Sequence, residues 1–148
     1  MATSSSSKTL TPAQEALLPV DKSDYDSVAH IRTLTTNELE PLIPQLLTWL
    51  QDQNWPIFRD VRELLLRYPK EIVEPVRGIL KGEDGEWIHN CLLNLVADMP
   101  MHCQLELRKE LERIARNPTV EESEFESEEV AEEILRGLEG DEGQKQKF

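Results

Sequence analysis

The sequence predicts an all-α fold of about seven helices, paired into three stacked antiparallel hairpins and closed by a C-terminal capping helix. Three observations carry this expectation. Apolar residues recur at helical spacing from Val28 to Leu138. Prolines and short Gly/Asp clusters interrupt the pattern about once per helix. The apolar pattern also repeats: an offset of 31 places Val61 on Leu92, Leu64 on Leu95, Pro69 on Pro100 and Leu80 on Leu111. An offset of 30 in the other direction places Ile72 on Leu42, Val76 on Leu46 and Leu80 on Leu50. Helical repeats of this length arise when helix pairs bury their faces on their neighbours. An irregular helical bundle is the competing arrangement, because the offsets match apolar positions and not identities.

The elements follow in order. Residues 1–18, MATSSSSKTLTPAQEALL, are read as a disordered leader, Ser/Thr-rich and without an apolar segment. Ser23 is the expected N-cap of helix one, whose inward set is Val28, Ile31 and Leu34. Thr35 or Thr36, with Glu38 or Glu40, reads as a capping signal for helix two. That helix carries Leu39, Leu42, Ile43, Leu46, Leu47, Trp49 and Leu50, and Pro44 predicts a bend or a late start. The corner Gln51-Asp52-Gln53-Asn54 leads to helix three, with Ile57, Val61, Leu64, Leu65 and Tyr68. Pro69 opens helix four (Ile72, Val73, Val76, Ile79, Leu80), where Pro75 predicts a kink. Gly82 to Gly85 is a loop with Asp84 as N-cap. Helix five shows Trp87, Ile88, Cys91, Leu92, Leu95 and Val96, and Pro100 breaks it. Helix six, over 101–116, turns Cys103, Leu107, Leu111 and Ile114 inward. An acidic linker precedes helix seven, over 127–138. The hairpins therefore span about 24–51, 55–81 and 86–116. The ordered domain is expected over 19–138, with a disordered tail over 139–148.

Composition excludes several function classes. The 148 residues suit one domain, with a formal net charge of −13. Residues 119–148 hold eleven acids and three bases, so much of that charge is terminal. No basic cluster offers itself to phosphates, so no nucleic-acid partner is expected. Apolar runs are only a few residues long, so no membrane span is expected either. Cys91 and Cys103 would lie offset on adjacent helices, at or beyond bridging distance. Two free thiols fit a reducing compartment, and the cytoplasm is the expected location.

No reaction motif is present. His30, His89 and His102 stand outside any zinc-ligand spacing. His89 with Cys91, and His102 with Cys103, are spaced so that they face different sides of a helix. Gly82-Glu83-Asp84-Gly85-Glu86 lacks the alternating acids of a calcium loop. No metal or cofactor is expected. Ser123 and Ser127 sit in acidic surroundings that an acid-directed kinase could read.

The segment LLTWLQDQNWP with the following VRELLLRYP, the entry LLPVDKSDYDSVAHI and the exit ELERIARNPTVEE resemble one family, domain of unknown function 5071. The resemblance spans roughly 17–136. It implies an all-helical, HEAT- or armadillo-like fold of short proteins, and it supplies no reaction, ligand or catalytic residue.

The expected function is therefore a non-enzymatic helical-repeat module that binds another protein, as a monomer by default. Asp52 and Trp55, and Asp84 and Trp87, stand at nearly equivalent corners and could present one edge to a partner. The other reading packs each Trp at the seam between hairpins. Glu40, Gln45, Glu74, Arg77, Arg108 and Glu112 lie off the apolar stripes, on the expected inner face, and Arg77 and Arg108 are its candidate partner-binding bases. A small acidic inhibitor or immunity-type protein that plugs a basic effector is one alternative. An enzyme with an unfamiliar site is the other.

Overall fold

Helix starts in this chain are written in its capping residues. The computed structural model describes residues 9–146, with side chains to residue 140, and every regular element among them is helical. Residues 1–8 of the expected leader, and 147–148 of the tail, lie outside the described residues. Pro12–Glu15 (α1) forms one turn within the stretch read as a leader, because Thr11 and Gln14 build a capping box around Pro12. Tyr25–Ile31 (α2) is capped by Asp24 and not by Ser23: the Asp24 carboxylate accepts from both the Ser27 backbone N–H and its hydroxyl.

The expected second helix is broken by its prolines. Thr36–Leu39 (α3) starts from a Thr35–Glu38 capping box. A 3₁₀ turn over Glu40–Leu42 carries Pro41, Ile43–Leu47 (α4) carries Pro44 in its first turn, and a second 3₁₀ turn covers Thr48–Leu50. The late start expected from Pro44 is therefore found. Phe58–Leu66 (α5) and Pro69–Leu80 (α6) follow, and α6 continues through Pro75. Gly85–Asn94 (α7) is capped by Asp84 as expected, and a 3₁₀ turn covers Val96–Asp98.

The expected sixth helix divides at Leu107 into Met101–Glu106 (α8) and Arg108–Arg116 (α9). No Pro or Gly marks that break. The Leu107 N–H bonds the Gln104 carbonyl, a tighter turn than an α-helix makes. The acidic linker holds a further short helix, Val120–Glu124 (α10), started by a Thr119–Glu122 capping box. Glu126, at φ 58°, turns the chain into Ser127–Gln146 (α11), which continues through 139–146 where the chain was expected to trail off.

The inward stripes pack as the periodicity requires. Val28, Ile31, Leu39, Leu46, Leu64, Leu65, Val76, Leu80, Leu92, Leu107 and Leu111 are essentially without exposed surface. Contacts run between neighbours: α2 on α5, α4 on α5 and α6, α5 on α6, α6 on α7 and α8. α11 lies along α9, also touching α7 and α8, and α10 sits against α7. Two arginines tie the layers. Arg62 of α5 donates to the Asn94 carbonyl at 2.9 Å and pairs with Asp98. Arg113 of α9 donates to both carboxylate oxygens of the fully buried Glu122 at 2.7 Å and to the Leu80 carbonyl at 3.2 Å. A buried carboxylate needs such partners, since its desolvation is otherwise uncompensated.

Candidate functional site: an apolar groove with an acidic mouth

An open groove of about 410 Å³ lies where α4, α6 and the start of α7 meet. Pro44 and Leu47 of α4 form one wall; Pro75, Gly78 and Ile79 of α6 form the other. Gly82, Glu83, Asp84 and Trp87 close one end. Local sequence explains the shape. The two prolines present rings where longer side chains would fill the gap. At Gly78 an added Cβ would meet nothing within 4 Å, so the missing side chain opens the groove and serves no packing contact. Ile79 belongs to the inward stripe, yet it stays half-buried while Val76 and Leu80 are fully buried.

Trp87 anchors the end wall. Its backbone N–H donates to Asp84 Oδ1 at 3.1 Å, and its indole Nε1–H donates to the Leu47 carbonyl at 2.9 Å. Asn90 of the same helix donates to the carbonyls of Leu50 and Gln51 at 2.9 and 3.3 Å. Helix α7 thus satisfies carbonyls left open at the end of α4 and in the 3₁₀ turn after it. Glu83 makes no hydrogen bond or ion pair among the described residues, and Asp84 uses one oxygen as the helix cap.

A family model described as "Domain of unknown function (DUF5071)" matches residues 17–135. The chain belongs to the DUF5071 family. A search among proteins of curated function finds no match. The family's span includes every residue that lines the groove.

The structure brings together only some of the residues singled out from the DUF5071 sequence. Asp84 and Trp87 share the groove's end. Asp52 and Trp55 form a separate corner: Asp52 Oδ1 accepts from the Asn54 N–H at 2.9 Å, and Trp55 meets Trp49 edge-on at 5.4 Å and 67°. The two corners, nearly equivalent in the sequence pattern, are therefore built differently. Arg77 turns away from the groove. It donates to Glu74 at 2.9 Å, to Glu110 at 2.8 Å and to the Glu106 carbonyl at 2.9 Å, joining α6 to α8 and α9. The Glu74 hydrogen bond raises the Arg77 pKa, and the same bond lowers that of Glu74. Arg108 pairs with Glu112 at 3.3 Å. Pro44, Pro75, Gly78, Ile79 and Glu83 share no pattern in the sequence: Pro44 and Pro75 stand 31 positions apart, one more than the offset of 30 that aligns the segments around them.

Groups with chemical potential lie elsewhere. Among the described residues no cluster of three or more His, Cys, Asp or Glu could hold a metal ion. Cys91 and Cys103 are both buried and free. Burial, with Asp84 adding to it, pushes the Cys91 thiol up to about 12, and burial also raises Cys103. His89 Nδ1 lies 3.3 Å from the Ser127 hydroxyl, beside the Phe125 ring. Ser127 has no exposed surface, so that contact holds the start of α11 against α7 and presents no hydroxyl to solvent. The fate of the two acidic-segment serines thus differs, since Ser123 is exposed. No helix of the described residues is long and apolar enough to cross a membrane.

Proposed function

We propose that this DUF5071 protein is a non-catalytic protein-binding module, and that its docking surface is the groove between α4 and α6. One observation carries the reading: an open apolar channel whose lining includes no His or Cys, and whose only charged members are the two acids at one end. Such a surface binds by burying side chains, and neither of its carboxylates is paired with a His or Cys. The neighbour-to-neighbour contacts support treating the fold as a short stack of hairpins, with α4 and α6 as adjacent second helices. A reducing compartment such as the cytoplasm suits the two buried free thiols.

The test compares partner recovery by the tagged full chain with recovery by Gly78→Leu and by Trp55→Ala, each first shown to be folded by circular dichroism. Gly78→Leu places a side chain in open groove space and is expected to lose the partner. Trp55→Ala lies at the other corner and is expected to retain it. A partner kept by Gly78→Leu at wild-type levels refutes the assignment of the groove.

A further inference from the structure

We infer that the groove takes a linear peptide segment of a partner protein, one that sets an aliphatic side chain between Pro44, Gly78 and Ile79 and a lysine or arginine against Glu83 and Asp84. This rests on the reading of the chain as a binding module and specifies what that module accepts. Volume argues for a segment that inserts a few side chains: the groove offers about 410 Å³. Charge argues for the cation. The lining carries two carboxylates and no base, in a chain of net charge −13. Glu83 has no partner among the described residues, and Asp84 has committed one of its oxygens. Trp87 cannot supply a donor, because its indole N–H is already taken by Leu47. A cation is therefore the group that the polar end leaves unsupplied, while the apolar walls select an aliphatic anchor.

Gly78 argues for selection of that anchor. Glycine is a costly choice inside a helix, and here no neighbouring atom requires it. What glycine does provide is room. Gly78 is in this sense a specificity-determining residue, setting how large an incoming side chain can be.

The probe is a phage-displayed library of random linear peptides, selected on the immobilised full-length protein at low salt. Enriched peptides are expected to pair an aliphatic residue with Lys or Arg a few positions away. A synthetic peptide of the enriched type should bind wild type, lose binding to Gly78→Leu, and bind Glu83→Gln about fivefold more weakly, as one partly exposed ion pair allows. Its Lys→Gln version should bind wild type and Glu83→Gln alike. Enrichment without basic residues, still abolished by Gly78→Leu, overturns this inference and leaves the groove as the module's surface. Peptides indifferent to Gly78→Leu overturn both. Failure to enrich any sequence overturns the peptide inference alone, as does Gly78-dependent self-association in sedimentation, which assigns the groove to a second copy of the chain.

Discussion

Replacing Gly85 by alanine forces α10 away from α7. Gly85 opens α7, and an added Cβ would stand 2.6 Å from the Glu121 carbonyl oxygen and 2.9 Å from the Glu121 carbon and Cβ. Reaching ordinary contact requires a retreat of roughly 0.8 Å by a backbone in a close-packed interior. That backbone is held on its other side, since Glu122 is fully buried and bonded to Arg113 through both oxygens. Overpacking of this kind costs about 1–3 kcal/mol. Alanine returns less than about 1 kcal/mol of helix propensity, and less still at a first helical position. The expected net effect is a loss of about 1–2 kcal/mol, or roughly 3–10 °C in Tm for a chain of this size.

Gly78→Ala is the internal control. It lies in the body of α6 with nothing near the new Cβ, so propensity acts alone and stability should rise by about 0.5–1 kcal/mol. Urea titrations followed by circular dichroism measure both as shifts in midpoint at constant slope. If Gly85→Ala matches or exceeds wild type, the close approach of α10 to α7 is wrong. If Gly78→Ala destabilises, the open groove is wrong.

Three further outcomes follow from the same contacts. Arg113→Met leaves the buried Glu122 carboxylate with only its capping-box bond from the Thr119 N–H and should cost about 3 kcal/mol, part of it recovered in the double variant Arg113→Met/Glu122→Leu, which also loses that cap; additive single effects in a denaturation cycle would contradict this. Cys91, held at about 12, and the equally buried Cys103 should be inert to a disulfide reagent at pH 8 in the native state and should both react after unfolding. Burial holds the folded-state pKa of His89 below its ordinary 6.5, against a smaller opposing pull from Glu126. The unfolded chain then binds the proton more tightly, so this contribution is complete above pH 6.5 and is lost as pH falls below it. Stability of His89→Gln should be flatter across that acid window than wild type, and an identical pH profile would remove His89 as the cause.

Most of the core was legible because periodicity is a property of single helices. Spacing alone turns the apolar residues from Val28 to Leu138 inward, and the structure buries most of them, leaving Leu34, Trp49, Tyr68, Ile79, Trp87 and Val130 half-buried. Boundaries were less legible where two signals competed. Ser23 and Asp24 are both good caps, and only the geometry of Ser27 decides for Asp24. The division at Leu107 has no local signal at all. Thr119 and Glu122 did carry a capping box, hidden in a run of acids that reads as solvated linker. The groove was harder still. Asp84 and Trp87 stood out as polar and aromatic, but Pro44, Pro75 and Gly78 matter through what they leave out, and a missing side chain gives no periodic signal.

The composition of the groove separates fold punctuation from selection for an opening. Four of its nine lining residues are Pro or Gly, against fifteen such residues in the whole chain of 148. Two of the four have ordinary structural work. Pro44 starts α4, and Gly82 closes α6 with its N–H on the Ile79 carbonyl. Pro75 and Gly78 have none: both lie inside a twelve-residue helix, where proline removes a hydrogen bond and glycine loses entropy. A sequence under pressure for stability alone would discard them, since compatible replacements commonly add about 0.5–2 kcal/mol. The double variant Pro75→Ala/Gly78→Ala should therefore melt higher than wild type, by at least the gain expected of Gly78→Ala. If the groove is a docking surface, that gain comes with weaker partner recovery, because the wall then carries two methyl groups where it carried a ring and a gap. A double variant that is both more stable and fully competent would show that the opening is incidental to binding.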